Sequence, residues 1–226
     1  MTKETKESAI MKENKMLEMT ISVDPLTESN CYILAEENHC VIIDPGESEN
    51  LLRLLTHRGW EPELFLLTHE HCDHMAGLDT LRAKYPDAPF KATESCDRGV
   101  RQPRLNMSRI MEVYLYFRGK PGIHYDPFVC RPADEILPEN AVLRWREHIF
   151  RFVPLPGHSP GSSGIFFDET TFFSGDYLIP DEEPILRFPG GDADAYAKIT
   201  EPFLLSLPAG LRICPGHGEI HISAAP

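Results

Sequence analysis

The stretch Leu66–Gly77, LLTHEHCDHMAG, places three histidines, an aspartate, a glutamate and a cysteine in the six residues from His69 to His74. These polar residues come just after the apolar run Leu64–Leu67, LFLL, which reads as a buried strand. His69 and His71 stand two apart in what should be extended chain, so both side chains project to one side. Asp73 and His74 follow as the chain turns into a helix, which the pattern DHMAGLDTLRAKYP predicts from Asp73 to just before Pro86.

The same arrangement recurs down the chain. His158 follows FRFVPLPG, Asp176 follows TTFFSG and His217 follows LRICPG. Each is a polar side chain on a loop at the end of a strand-like run. Several strand ends of one sheet edge can converge on one point, which is how rigid scaffolds carry sites on loops. Five imidazoles and two carboxylates suit two divalent ions of borderline softness, Zn²⁺ first, with Fe²⁺ or Mn²⁺ as alternatives. Asp176 could bridge them. Two such ions about 3.5–4 Å apart would activate a water near neutral pH. His39, His57, His124, His148 and His221 lack this context and read as structural or surface residues.

Around these loops the chain alternates strand and helix. MTISV, NCYILAEE and HCVIIDPG are short β-rich runs, a meander. Leu51–Arg58 has helical spacing, with Leu51, Leu54 and Leu55 on one face and Gly59 as the stop. APFKAT is a further strand. AVLRWREHIFRFVPLPGH reads as a strand pair and SSGIFFDETTFFSGD as a hairpin turned at Asp168–Thr170. DADAYAKITEPFLLSL is a helix interrupted near Pro202, and LRICPGHG is a last strand and loop. Between the halves, residues 95–132 read as an irregular, aromatic-rich insert near the site. Residues 1–18 are Lys/Glu-rich and read as a frayed tail, with the folded domain at 19–226.

Composition sets the remaining expectations. A net charge of −13, from 22 Lys and Arg against 35 Asp and Glu, disfavours nucleic acid as a partner. The local run Arg98, Arg101, Arg104 and Arg109 reads as a solvated face. No apolar run approaches the roughly 18–20 residues that span a bilayer, so no membrane partner is expected. The start lacks the order of a signal peptide, and none of the six cysteines forms a C-x-x-C pair, which points to a reducing cytoplasm.

These residues resemble the metallo-β-lactamase fold superfamily. Its T-H-x-H-x-D-H signature stands at Thr68–His74, and Asp44 in DPG, His158, Asp176 and His217 follow in order. The resemblance implies an α/β, four-layer αββα sandwich. It implies that His69, His71 and His158 hold one metal, that Asp73, His74 and His217 hold a second, and that Asp176 bridges them. Asp73 and Asp176 would thus be catalytic. Asp44 and Thr68 are candidates to orient the imidazoles. Glu70 and Cys72 fill the two x positions, and Cys72 reads as packing behind the site.

Within the superfamily the chain looks most like short, single-domain glyoxalase II-like hydrolases, with NCYIL, DPG, PGHSPGS, FSGD, FPGGD and PGHG in place. The implied reaction is hydrolysis of a thioester, such as a hydroxyacyl-glutathione, by a metal-bridging hydroxide. The leaving thiol has a pKa of about 8–9 and needs little acid help. The long enzymes of that group carry a C-terminal helical domain that holds glutathione, whereas this chain stops about nine residues after His217. Where short relatives often read G-R-x-D-L-P-G-G, this chain reads PILRFPGG, with Ile185 and Arg187 in place of the arginine and aspartate. Substrate-facing candidates are Tyr116, Arg118, Tyr177 and Arg187, with Tyr114, His124 and Tyr125 nearby. Either arginine could meet the carboxylate of an anionic small-molecule thioester.

Other activities of the superfamily compete. A persulfide dioxygenase would use a single iron on two histidines and an aspartate, but the cysteine and tyrosine usual after its PGH loop are missing from SPGSSGIFF. A lactonase suits the same chemistry. A zinc β-lactamase would normally be exported, and many place a cysteine at the position of Asp176. A tRNA-processing nuclease wants a basic exosite and a longer chain. A non-catalytic module would be expected to lose ligands, and all seven are present.

Overall fold

Strands buried on both faces read as continuous apolar runs, because each face needs a cover. In the computed structural model, which describes residues 16–224, β2 (Asn30–Glu36) is buried along its whole length. Its alternate residues divide between two cores. Ile33 and Ala35 join one with Ile42, Phe65, Leu51, Leu55, Leu78 and Leu81. Tyr32 and Leu34 join another with Ile43, Leu66, Phe150, Ile165 and Phe173. A third core holds Phe166, Phe172, Ile213, Leu204 and Leu207. Three stacked cores need four layers, helix–sheet–sheet–helix, as expected.

The first sheet contains β1 (Leu17–Val23), β2, β3 (His39–Ile43), β4 (Glu61–Leu66), β5 (Phe90–Thr93) and β6 (Glu135–Leu137), in that spatial order. β1, β2 and β3 pair antiparallel, and β3 to β6 are parallel. The second sheet runs from β7 (Val142–Trp145) through β8 (His148–Pro154), β9 (Ser163–Phe167), β10 (Thr171–Gly175) and β11 (Arg212–Pro215) to β12 (His221–Ile222). Only β10 and β11 are parallel there. The expected tail at 1–18 falls mostly outside the described residues, but its boundary moves, because Leu17 and Glu18 already pair with Glu36 and Ala35.

The helices follow the sequence with informative departures. α1 (Glu49–Arg58) stops at Gly59, whose φ of 66° is the left-handed cap that glycine adopts without strain. The single helix expected from Asp73 is two, α2 (Cys72–Met75) and α3 (Leu78–Lys84). The break is a packing contact: Gly77 N–H donates to Pro45 O at 2.9 Å, and a Cβ on Gly77 would lie 2.2 Å from Glu47 O. The DPG loop is thereby pressed against the metal-loop helix.

The 95–132 region is less irregular than expected. It contains most of α4 (Glu94–Val100), capped by Thr93, then a 3₁₀ turn at Ser108–Ile110 and α5 (Met111–Phe117). These helices are too short to show a clear apolar period. The interrupted helix near Pro202 is α6 (Ala193–Ala195), a π turn at Tyr196–Thr200 and α7 (Glu201–Leu205). Glu201 N–H reaches back five residues to Tyr196 O, just before the proline that lacks a donor. Among the described residues no helix is long and apolar enough to cross a membrane.

Candidate metal centre

All the predicted ligands leave their strands at one edge. The loop after β4 carries His69 and His71, and α2 carries Asp73 and His74. The loops after β8, β10 and β11 carry His158, Asp176 and His217. Polar contacts tie the two sheets together at this edge. Asn30 Nδ2 donates to Pro215 O (3.0 Å) and Gly218 O (2.9 Å), and Tyr32 Oη donates to Pro215 O (2.7 Å), while within the first half Ser29 Oγ donates to Asp73 O (2.6 Å). Ser163 N–H donates to Thr68 O at 2.8 Å, closing the other side.

The seven side chains form three overlapping triads whose ligand atoms lie within 4.8 Å of one another: His69–His71–His158, His69–His74–Asp176 and Asp73–His74–His217. Asp176 faces both outer triads. Its Oδ2 lies 3.4 Å from His158 Nε2, and its Oδ1 lies 3.2 Å from His74 Nε2 and 3.7 Å from His217 Nε2. Asp73 Oδ2 lies 3.3 Å from His217 Nε2 and 3.7 Å from His74 Nε2. Two ligands of one tetrahedral ion, each about 2.05 Å from it, stand about 3.3 Å apart. The spacings therefore fit shared ions. His69 Nε2 and Asp176 Oδ1 are buried without a hydrogen bond, a costly state that a cation would relieve, and His71 turns its Nδ1 to His158 Nε2 at 2.9 Å. Asp176 Oδ1 is near His74 Nε2 by distance but not aligned to bond it. The donor set fits two borderline divalent ions.

Electrostatics divide the cluster. Burial, with neighbouring imidazoles, holds His71 down to about 3 and His69 well below its ordinary value, and burial also lowers His158. These three are neutral and offer lone pairs. Burial opposes charge on His74 and His217 as well, but Asp73 and Asp176 outweigh it and raise both. Protons there stand where positive metal charge would.

Hydrogen bonds set the tautomers. Asp44, at φ 55°, accepts from Thr68 N–H at 2.7 Å and Thr68 Oγ1 at 2.6 Å. Thr68 Oγ1, its proton committed, can accept from His69 Nδ1 at 3.1 Å, which leaves His69 Nε2 bare. Asp44 Oδ2, the oxygen that accepts from Thr68 Oγ1, also faces His74 Nδ1 at 3.3 Å. His158 Nδ1 donates to the carbonyl of Ile185 at 2.9 Å, so its Nε2 carries no proton and faces His71 Nδ1 at 2.9 Å. One residue departing from the short-hydrolase pattern thus contributes through its main chain, which its side chain does not alter.

The sequence did not single out several residues that build the site. Glu70 is fully buried and accepts from Ser159 Oγ (2.8 Å) and Gly161 N–H (3.2 Å), locking the His158 loop onto the first metal loop. Ser29 and Asn30 had no assigned role. Phe188, inside the quoted FPGGD, stands edge-on to His71 and His158, each at 5.8 Å. Cys72 belongs to none of the triads and packs with Met107, Met111 and Leu115.

The substrate candidates scatter. Arg118 and Arg187 line a cleft beside the centre, with Tyr114. Tyr116 is 62% exposed outside that cleft, beside Phe117. Tyr177 is a correction: it is 2% exposed, donates from Oη to Leu155 O at 2.8 Å and accepts from His158 N–H at 2.7 Å. It positions His158 and has no face for substrate. His124 is exposed between Glu112 and Asp126, and Tyr125 packs on Phe128. Arg98, Arg101, Arg104 and Arg109 are all exposed.

A four-layer sandwich with histidines and aspartates converging from its strand ends defines a metallo-hydrolase scaffold, and the chain belongs to the metallo-beta-lactamase superfamily, which it matches over residues 24–217. Among curated proteins it is 28% identical over 193 residues to the probable metallo-hydrolase YqgX of Bacillus subtilis, covering 84% of this chain and 85% of that one. It is 29% identical over 196 residues to the hydroxyacylglutathione hydrolase of Hamiltonella defensa, covering 85% of this chain but only 64% of that enzyme. Of solved structures, BLEG-1 B3 metallo-beta-lactamase superposes with a TM-score of 0.76 at 28% identity, covering 92% of this chain and 94% of that one. TTHA1623 in a di-iron-bound form superposes with a TM-score of 0.65 at 30% identity, covering 89% and 92%.

Proposed function

We propose that the protein is a cytoplasmic, binuclear metal-dependent hydrolase that cleaves thioesters. The observation that carries this reading is the overlap of the triads: His69, His71 and His158 would hold one ion, Asp73, His74 and His217 a second, and Asp176, whose two oxygens face His158 and His74, would be shared between them. The di-iron form of TTHA1623 and the name of the Hamiltonella relative support two metals and a thioester. Zinc is the first expectation, with iron or manganese as alternatives.

Two ions bound there would activate a water and polarise a carbonyl oxygen. The residues do the rest. Glu70, Thr68, Asp44, Tyr177 and the Ile185 carbonyl hold the imidazoles in place, so little reorganisation remains when substrate arrives. Phe188 and Tyr114 wall the mouth beside His71, Asp73 and Asp176. Hydrolysis adds the water oxygen to the acyl carbon and breaks the C–S bond. The sulfur leaves with the electron pair as a thiolate, so the absence of an obvious general acid costs little.

The similarity to BLEG-1 gives a β-lactam a place in the test. The purified protein is analysed for metal and offered thioesters, a lactone, a β-lactam and glutathione persulfide. About two metals per chain with thioester hydrolysis dominant is the expected result. One iron with oxygen uptake on the persulfide, or turnover confined to the β-lactam, overturns the reading. Asp73→Ala keeping full activity and two metals would overturn the binuclear assignment.

A further inference from the structure

The mouth of the metal centre shares two residues, Tyr114 and Phe188, with a larger cleft of about 480 Å³. Phe188 lies 5.7 Å from Tyr114 and 5.8 Å from both His71 and His158, so the cleft begins at the metal ligands. Its walls are otherwise Ile110, Val113, Phe117 and Ile185, an apolar lining. Val113 and Phe117 are 57% and 80% exposed, apolar surface that a ligand would gain by covering. The charged residues of the cleft are Arg118 and Arg187. Arg118 has one exposed partner, Glu182 at 3.5 Å, and Arg187 has no ion-pair partner among the described residues. In a chain of net charge −13, two weakly engaged cations on one apolar cleft are a specific feature.

We propose that this cleft binds an apolar arm of the thioester that also carries a negative charge, the methylenes lying against Val113, Phe117 and Phe188 and the charge meeting Arg187 and Arg118. This rests on the hydrolase reading and narrows its substrate class. A short hydroxyacyl group joined to a polar peptide thiol would leave the apolar walls uncovered, so hydroxyacyl-glutathione is a poor fit. The charged arm can belong to the acyl half or to the thiol half. Hydrolysis would release it as an α,ω-dicarboxylate or as an ω-mercapto acid.

Calorimetry on the metal-loaded full chain tests the cleft without turnover. Across the alkanedioates from succinate to suberate, affinity should rise about twofold to fourfold per methylene, the upper figure being full burial. Val113→Asp should flatten that slope. Arg187→Ala should weaken suberate threefold to tenfold while leaving uncharged, non-hydrolysable octan-1-ol unchanged. A flat series, or an Arg187→Ala effect equal for charged and uncharged ligands, overturns the proposal. Turnover then assigns the arm: the S-methyl thioester of pimelic acid carries it on the acyl side, and S-acetyl-6-mercaptohexanoate on the thiol side. If the slope is present but a two-metal protein turns over no thioester, the hydrolase reading fails and the cleft assignment stands. If S-lactoylglutathione is the best substrate and the slope is flat, the cleft assignment fails and the hydrolase reading stands.

Discussion

Thr68→Val and Asp44→Asn should damage the two metal positions differently. Valine keeps the shape of threonine and the Thr68 N–H bond to Asp44 Oδ1, but removes the hydroxyl between Asp44 Oδ2 and His69 Nδ1. His69 then loses the acceptor that keeps its proton on Nδ1, and its Nε2 is no longer reliably bare. His74 keeps its carboxylate neighbour at 3.3 Å. Loss of such an orienting partner typically costs 10–100-fold in metal affinity, about 1.4–2.7 kcal/mol, here at the His69–His71–His158 position alone. Asparagine at position 44 turns an NH₂ toward the Thr68 hydroxyl, which must then accept and can donate only to His69, driving the proton to Nε2. It also removes the negative charge facing His74 Nδ1. Both positions should weaken, each by a similar factor. Stepwise zinc affinities from chelator competition, with histidine-ring NMR showing which imidazoles respond at each step, give the two numbers. Equal weakening of both positions by Thr68→Val, or unchanged affinities in Asp44→Asn, would refute the reasoning.

Three further outcomes follow from the same geometry. Gly216→Ala would put a Cβ 2.2 Å from Asp176 Oδ1 and 2.8 Å from His74 Cε1, so it should lose at least tenfold in activity and part of the metal, with the far-UV circular dichroism retained. Cys72→Ser should keep its metal content but lose about 1–3 kcal/mol of stability in denaturant titration, because a hydroxyl replaces a thiol in an apolar cluster; loss of one metal would make Cys72 a ligand. Burial pushes Glu70 up to about 7 from an ordinary 4.5, so its folded pKa is the higher one. Its contribution to stability should fall as pH rises from about 4.5 through about 7, and the melting temperature of Glu70→Gln relative to the parent should climb over that interval; a constant difference would sink the assignment.

What could be read from the sequence was local. The β2 run, the Gly59 stop and the hairpin at Asp168–Thr170 each declare themselves within a few residues, and each is where it was expected. β6 and β12, three and two residues long, show too little alternation to be seen. The break between α2 and α3 is set by Gly77 against the Pro45–Glu47 loop, some thirty residues earlier, and no helical period in DHMAGLDTLRAKYP encodes it. The histidines and aspartates that cluster at the sheet edge could be picked out for the same reason as the strands. A histidine or aspartate directly after an apolar run is a signal that needs no partner elsewhere.

Of the orienting residues, Asp44 and Thr68 came with the motif, whereas Glu70, Tyr177 and the Ile185 carbonyl did not, because their partners are remote or belong to the main chain. Glu70 looks like a solvated loop residue until Ser159 and Gly161, about ninety positions later, are brought to it. Tyr177, read as a substrate-facing candidate, bonds two backbone groups of the Leu155–His158 loop. PILRFPGG separates the two kinds of information. The carbonyl of Ile185 orients His158 whatever side chain that position bears, so departure from the short-hydrolase pattern leaves the metal centre intact. The side chains of Ile185 and Arg187 both line the cleft. On the proposed assignment of the cleft, a change of residue there acts on what it accepts and leaves the inner end alone, so the place where the sequence diverges would also be the place where a different substrate is selected.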